Sequence, residues 1–403
     1  MPTKNNKHNW EFTKYFRANV YGWKGTALAS KRIKDAVKEI KSVAQKEPVT
    51  AAEGAVLFIE KCWRAIEHID SSSGAIGTAV NNALIEMVQI IHDAPLAIQE
   101  RQKLTERIWE SWQEEGYGYY DELSKRWVEI CVKPEILIYW ADNFLPIVKN
   151  VFSSDTPGSY FKGSEPCLSC LFETGRYDEL IEIIQSDPKP MFHYRKYFIK
   201  VIAARGDIEK ALSMIDESLY DSYSSIEAAN LGEDILLNAG RTEEAYKRYG
   251  LMMPFQSTGL ATLSAIRKKY PEISPQRILN DLLDADRGNE GRYFAAARKI
   301  GMIELAIEIA EKHNVEPKTL ITACKDYFEK DPGISVKFGL IALQRYADGY
   351  GYEPEYSDVK KCYDFLIKAS EKTGQVENIS AMVKIMAVND KSIRKLVSLV
   401  VNR

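Results

Sequence analysis

The sequence predicts an all-α chain whose larger part is a stack of helical hairpins, and three observations carry that expectation. A seven-residue phrase met at Thr174-Gly175-Arg176-Tyr177-Asp178-Glu179-Leu180 returns at 205–211, 239–245, 300–306 and 373–379, always as Gly-x-x-acid-x-aliphatic. Its glycines stand 31, 34, 61 and 73 residues apart, so the first two gaps are one period of a helical-hairpin repeat and the last two are about double periods. Apolar residues fall at helical spacing along most of the chain. No sustained period-two run of β-branched residues interrupts them, and no Asn-Gly or Asp-Gly turn joins two apolar runs.

The amino-terminal elements follow from local signals. From Ser30 the residues Ile33, Val37, Ile40 and Val43 share one helix face, with Lys31, Arg32, Lys34, Lys38 and Lys41 elsewhere on the wheel. Glu47-Pro48 closes this basic amphipathic helix, and Thr50-Ala51-Ala52-Glu53 reads as a capping box opening the next, with Val56, Ile59, Cys62, Trp63 and Ile66 inside. Asp70-Ser71-Ser72-Ser73-Gly74 suits the start of a third helix bearing Ile76, Val80, Leu84, Val88 and Ile91. Asp93-Ala94-Pro95 reads as a cap with proline in the first turn, leading through Leu104, Ile108 and Trp112 to Glu114-Glu115-Gly116. After the Gly116-Tyr117-Gly118-Tyr119-Tyr120 loop, helices near 121–132 and 134–150 are divided by Lys133-Pro134 and bury Leu123, Trp127, Ile130, Trp140, Phe144 and Leu145. The stretch 153–163 is rich in serine, glycine and proline and marks the expected boundary between an amino-terminal helical region, 1–152, and the repeats, 153–403.

Composition bounds the function classes. At 403 residues, with 45% hydrophobic and 28% charged residues, global disorder is excluded, and no apolar run approaches the roughly 20 residues a membrane span needs. The polar, basic start has no apolar segment behind it and does not read as a secretory signal. Six scattered cysteines fit free thiols in a reducing compartment, so the expected location is cytoplasmic, away from membranes. The net charge of −3 hides an asymmetry: residues 1–46 hold eleven Lys or Arg against three acids, or +8, which leaves about −11 on the rest. A basic end on an acidic body invites a phosphate-rich partner or the body itself, or simply keeps a helix face solvated.

The recurring phrase resembles the mid-repeat signature of tetratricopeptide repeats. A glycine ends one helix, an acid suits the positive end of the next, and a small or aliphatic residue faces the partner helix. That resemblance covers about 160–380 and implies a right-handed α-solenoid. It places residues eight and seven before each glycine in the hairpin core: Cys167 and Leu168, Phe198 and Ile199, Tyr293 and Phe294, with Gly232 and Glu233 departing from the pattern. Positions thirteen, ten and six before the glycine then line a groove: Lys162, Glu165 and Ser169; His193, Lys196 and Lys200; Glu227, Asn230 and Asp234; with Arg298 and the neighbouring Arg292 from the fourth copy. Mixed charge there suits a peptide better than a uniformly anionic polymer. More loosely, the chain resembles bacterial helical-repeat proteins of unknown function through Asp70-Ser71-Ser72-Ser73-Gly74, Tyr160-Phe161-Lys162-Gly163 before Cys167-Leu168-Ser169-Cys170-Leu171, and Gly291-Arg292-Tyr293-Phe294. Relatives of that kind associated with zinc-finger or nucleic-acid-linked proteins keep a nucleic-acid reading in play.

Chemical motifs are sparse. Cys167-x-x-Cys170 has the spacing of zinc and redox sites, but no second such pair supplies four ligands, and Cys167 falls at a core position. The Asp70 loop precedes a helix and offers amides to an anion, yet lacks the glycines and lysine of a phosphate-binding loop. His68 and His92 flank no metal-binding spacing, and the five histidines form no nucleophile–base set legible in sequence. The tyrosine loops at 116–120 and 349–352 suit either adhesive contacts or packing onto the stack. No catalytic, metal or cofactor residue is assigned. The expected function is a non-enzymatic scaffold binding a protein or peptide in the repeat groove. The alternative is nucleic-acid binding through 1–46, centred on Lys24, Lys31, Arg32, Lys34, Lys38 and Lys41; a lesser one is a metal-dependent hydrolase using Cys167, Cys170 and the Asp70 loop.

Overall fold

The computed structural model describes residues 8–153, 159–220, 224–252, 256–351 and 355–389, all-helical with no strand among them. Lys4 and Lys7 of the basic segment, residues 154–158 of the expected boundary and Tyr352 of the second tyrosine loop lie outside the described residues. The chain divides into two compact units, 1–231 and 232–403.

In the first unit a 3₁₀ turn, Glu11–Tyr15, precedes α1 (Thr26–Ala44), α2 (Pro48–Ile66), α3 (Ala75–Asp93) and α4 (Ile98–Glu114). Two short helices, α5 (Asp121–Lys125) and α6 (Trp127–Cys131), and the longer α7 (Pro134–Val151) follow. The hairpins then begin with α8 (Ser164–Glu173), α9 (Tyr177–Ser186), α10 (Phe192–Ala204) and α11 (Ile208–Ser218). Helix α12 (Ser225–Asn238) runs across the division, and α13 (Thr242–Ala245) continues into a π-helical turn, Tyr246–Gly250. The second unit goes on through α14 (Gly259–Lys269), α15 (Pro275–Ala285), α16 (Phe294–Lys299), α17 (Ile303–Lys312), α18 (Pro317–Tyr327), α19 (Pro332–Ala347), α20 (Tyr356–Thr373) and α21 (Val376–Asn389). Consecutive helices pack on one another within each unit, as in α1/α2, α7/α8, α10/α11, α18/α19 and α19/α20.

The amino-terminal core is aromatic. Phe12 and Phe16 are buried against Phe58 of α2, and Trp10 against Phe12 and over Gly54 of α2, which ties the first residues into the fold. Trp109 on α4 forms a hub with Phe144 at 4.7 Å, Trp112 at 5.4 Å and Phe161 at 5.8 Å between ring centroids, mostly edge-to-face as ring quadrupoles prefer. Trp140 completes it and donates its indole N–H to Thr105 at 2.9 Å.

Five turns share one geometry. Gly175, Gly206, Gly240, Gly301 and Gly374 all have φ between +69° and +93°. Each glycine amide bonds a carbonyl three residues back at 2.9–3.3 Å, and the next amide bonds one five back at 2.8–3.2 Å, as Arg176 does to Leu171. These are Schellman turns, which satisfy the free carbonyls of the ending helix. The next helix starts two residues after each glycine, and its aliphatic residue (Leu180, Ala211, Ala245, Ala306 or Ile379) is buried.

Two helix starts differ from expectation. Helix α2 begins at Pro48, so Thr50 lies inside it and no capping box forms, because proline's fixed φ already suits the first helical position. Helix α3 runs to Asp93 and α4 begins only at Ile98, where Glu100 accepts from the Ala97 amide at 3.0 Å. The cause is Arg101, 1% exposed, whose guanidinium donates to the carbonyls of Ile91 and Ile130 at 2.9 Å and of Ala94 at 2.7 Å. It caps the ends of α3 and α6 together.

The Gly240 copy departs in residue type only. Gly232 leaves room for the Tyr249 ring, 2.6 Å from where a Cβ would sit. Glu233 is fully buried, and its carboxylate accepts from the Tyr270 hydroxyl and pairs with Lys269.

Candidate functional site

Among the residues expected to line a groove in the first unit, Lys196 makes the central contacts. Its ammonium lies 2.6 Å from Glu165 and 2.8 Å from Glu227, each 31 residues away along the chain. The three residues stand on α8, α10 and α12, so the first helices of three successive hairpins lie side by side and are bridged by alternating charge. Glu165, 7% exposed, also accepts from the Ser124 hydroxyl at 2.7 Å. Burial alone would lower the Lys196 pKa, but the two carboxylates outweigh it and hold it above the ordinary lysine value.

The other candidates spread around this bridge. His193 is half-buried and packs against Tyr194 with centroids 3.9 Å apart; burial holds its imidazole below the ordinary value. The Lys200 ammonium sits over the Tyr197 and Phe172 rings at 5.2 and 5.6 Å. Lys162 turns to α4, donating to the carbonyls of Trp112, at 2.6 Å, and Glu115. The Ser169 hydroxyl donates to the Pro166 carbonyl of its own helix, and Asn230 is exposed.

In the second unit, Asp234 is exposed, 3.9 Å from Lys269. Arg292 pairs with Asp286 at 3.3 Å and donates to the Gln256 carbonyl at 2.5 Å. Arg298 pairs with Asp326 at 2.6 Å and lies over the Phe294 and Tyr327 rings.

The basic helix forms a site that sequence periodicity alone did not reveal. Between α1 and α3 runs a groove of about 620 Å³, floored by Ile33, Val37, Ala79 and Ala83, with Lys34, Lys38, Lys41 and Gln45 along one wall and Asn82 and Glu86 on the other. Lys41 pairs with Glu86 at 2.8 Å, and Arg32 pairs with Asp35 at 3.5 Å and stacks on Tyr15. Among the described residues, Lys24, Lys31, Lys34 and Lys38 have no carboxylate partner.

No protein-family profile, curated protein or solved structure matches this chain.

All six cysteines are free and buried. Cys170 neighbours Cys131 of α6, whereas Cys167 donates to the Ala141 carbonyl at 3.8 Å, so the two members of the Cys-x-x-Cys pair have separate surroundings. Burial pushes both thiols up, away from the reactive thiolate. Among the described residues no three His, Cys, Asp or Glu side chains are grouped to hold a metal ion. In the Asp70 loop the carboxylate accepts from the Ser72 amide at 3.0 Å, and the loop carbonyl of Asp70 accepts from Thr26 at 3.2 Å. His92 is bonded to the Glu129 carbonyl at 3.0 Å. Of the tyrosine loop, Tyr119 and Tyr120 are buried, with the Tyr120 hydroxyl bonded to the Ile59 carbonyl, while Tyr117 is half-exposed. No helix among the described residues is long and apolar enough to cross a membrane.

Proposed function

We propose that this chain is a tetratricopeptide-like array of helical hairpins, stacked with right-handed sense, that serves as a non-enzymatic scaffold for a protein or peptide partner. The observation that carries this is the Glu165–Lys196–Glu227 bridge, which aligns the first helices of three hairpins and leaves a strip of mixed chemistry along them. His193, the Lys200 ammonium over its aromatic rings, and Asn230 lie on these same helices. Hydrogen-bonding groups of both signs on a rigid helical face suit an extended or helical peptide.

A photoreactive amino acid at Asn230, on a first helix, is compared with one at Glu182, exposed on the second helix α9. Discrete adducts from position 230 that are absent from position 182, and that weaken with Lys200→Glu, support the strip. Identical adducts from the two positions, or none from 230, overturn it.

A further inference from the structure

The repeat strip leaves the α1/α3 groove unaccounted for. Its wall is regular: Lys34, Lys38 and Lys41 of α1 and Gln45, the residue just after it, follow one another at four-, three- and four-residue steps, one stripe running about 16 Å, or three helical turns. Below it, Ile33 and Val37 from α1 meet Ala79 and Ala83 from α3, each pair one turn apart. Alanine at both α3 positions leaves space between the helices, so side chains of a guest can reach the apolar floor. Val37 and Ala79 are half-buried, and Lys34 and Lys38 are exposed with no carboxylate partner among the described residues.

We propose that this groove receives an acidic amphipathic helix of a partner protein, whose apolar side chains cover Val37 and Ala79 above the buried Ile33 and Ala83 and whose flanking carboxylates pair with Lys34 and Lys38. Charge and shape select this occupant together. A wall three turns long beside an apolar floor of one turn matches a helix that sets apolar residues at i and i+4 on the floor and its acids along one flank. The lysines stand on one wall only, which sets which flank of the guest carries its acids and therefore its direction. A nucleic acid fits poorly: no aromatic ring lines the groove for base stacking, and Glu86 on the opposite wall opposes phosphate.

The test uses the full chain and fluorescence anisotropy with a labelled synthetic peptide of about four helical turns, leucine along one face and glutamate along its flank. Its partners are the same peptide with lysine for glutamate and a labelled oligothymidylate. The expected result is binding of the glutamate peptide, weakening with salt, and reduced about tenfold or more both by Lys34→Glu with Lys38→Glu and by Ala79→Phe, which fills the floor while keeping the charge. The lysine peptide is expected to bind at least about tenfold more weakly than the glutamate peptide. Should the charge pair melt early, Lys34→Gln with Lys38→Gln replaces it, with about threefold loss expected. The proposal is overturned if the glutamate peptide does not bind, if it binds the variants as it binds the natural chain, or if the oligothymidylate binds more tightly and is lost on the same substitutions. Adducts from position 230 that persist while groove binding fails remove this inference and leave the repeat strip standing; the reverse outcome does the opposite.

Discussion

Lys196, its side chain 12% exposed, is a cation whose two carboxylates do much of the work that water does elsewhere. Removing it strands Glu165, 7% exposed, without a counter-charge, so Lys196→Ala is expected to destabilise the chain by about 2–3 kcal/mol, read as a lower urea midpoint. Lys196→Met combined with Glu165→Gln is expected to recover more than half of that loss, since no unpaired charge then remains inside. A charge reversal at this position therefore reads stability as much as partner capture. His193, close by, behaves oppositely with pH. Burial lowers its pKa from 6.5, reinforced by Lys196 and Lys125 and opposed by Glu165 and Glu227. A base held below its unfolded value contributes stability present above that value and lost as pH falls towards the folded one. Its imidazole is expected to titrate below 6.5 by NMR, and His193→Asn is expected to flatten the stability profile between the two values. Spacing from the glycines named both Glu165 and Lys196, whose charged ends lie 2.6 Å apart. It was silent on their mutual pairing, because the distance between neighbouring hairpins is a tertiary quantity.

At the scale of elements, the glycine turns were legible because everything that makes them is local. One residue takes the left-handed region, two amides bond back to the ending helix, and all the partners lie within six residues. The cost of replacing such a glycine is therefore conformational. No atom lies within 4 Å of the Cβ that alanine would add at Gly175, Gly206, Gly240, Gly301 or Gly374. Each Gly→Ala change is expected to cost about 1–2 kcal/mol, and Gly→Asn less, in equilibrium unfolding. Equal costs for alanine and asparagine would point to packing instead. What local signals could not show is the capping of helix ends by distant cations. Arg101 serves α3 and α6, Lys162 serves α4, and Arg345 donates to the carbonyls of Ala310 and His313 at the end of α17 at 3.0 and 2.8 Å. The start of α4 was misplaced for this reason: Asp93-Ala94-Pro95 looks like a cap, but an arginine eight residues on holds that carbonyl end as a helix terminus. Arg101→Met leaves these carbonyls without donors in the interior and is expected to cost about 3 kcal/mol, visible in the unfolding midpoint.

At the scale of the whole molecule, the +8 carried by residues 1–46 invites deletion as a test of nucleic-acid binding, and the fold argues against that experiment. Trp10, Phe12, Phe16, Ile33 and Ile40 are each no more than 7% exposed and belong to the first unit's core. Burial of side chains this size contributes about 1.5–3 kcal/mol each, so their joint loss is comparable to the whole stability of an ordinary domain. Deleting 1–46 is expected to abolish cooperative unfolding of that unit and raise dye binding to exposed apolar surface, whatever the segment binds. The informative variant neutralises Lys24, Lys31, Lys34 and Lys38 to glutamine, all four without a carboxylate partner among the described residues. It is expected to keep the natural melting temperature, since surface changes of this kind stay within about 0.5 kcal/mol. If the basic segment binds single-stranded nucleic acid through these lysines, the slope of log K against log salt falls in magnitude by about 3, near 0.7 for each phosphate contact removed. If the groove instead binds an acidic helix, the same variant binds the glutamate peptide about threefold or more weakly and leaves polyanion retention close to that of the natural chain. The two readings then separate on one folded protein, where truncation would have merged them.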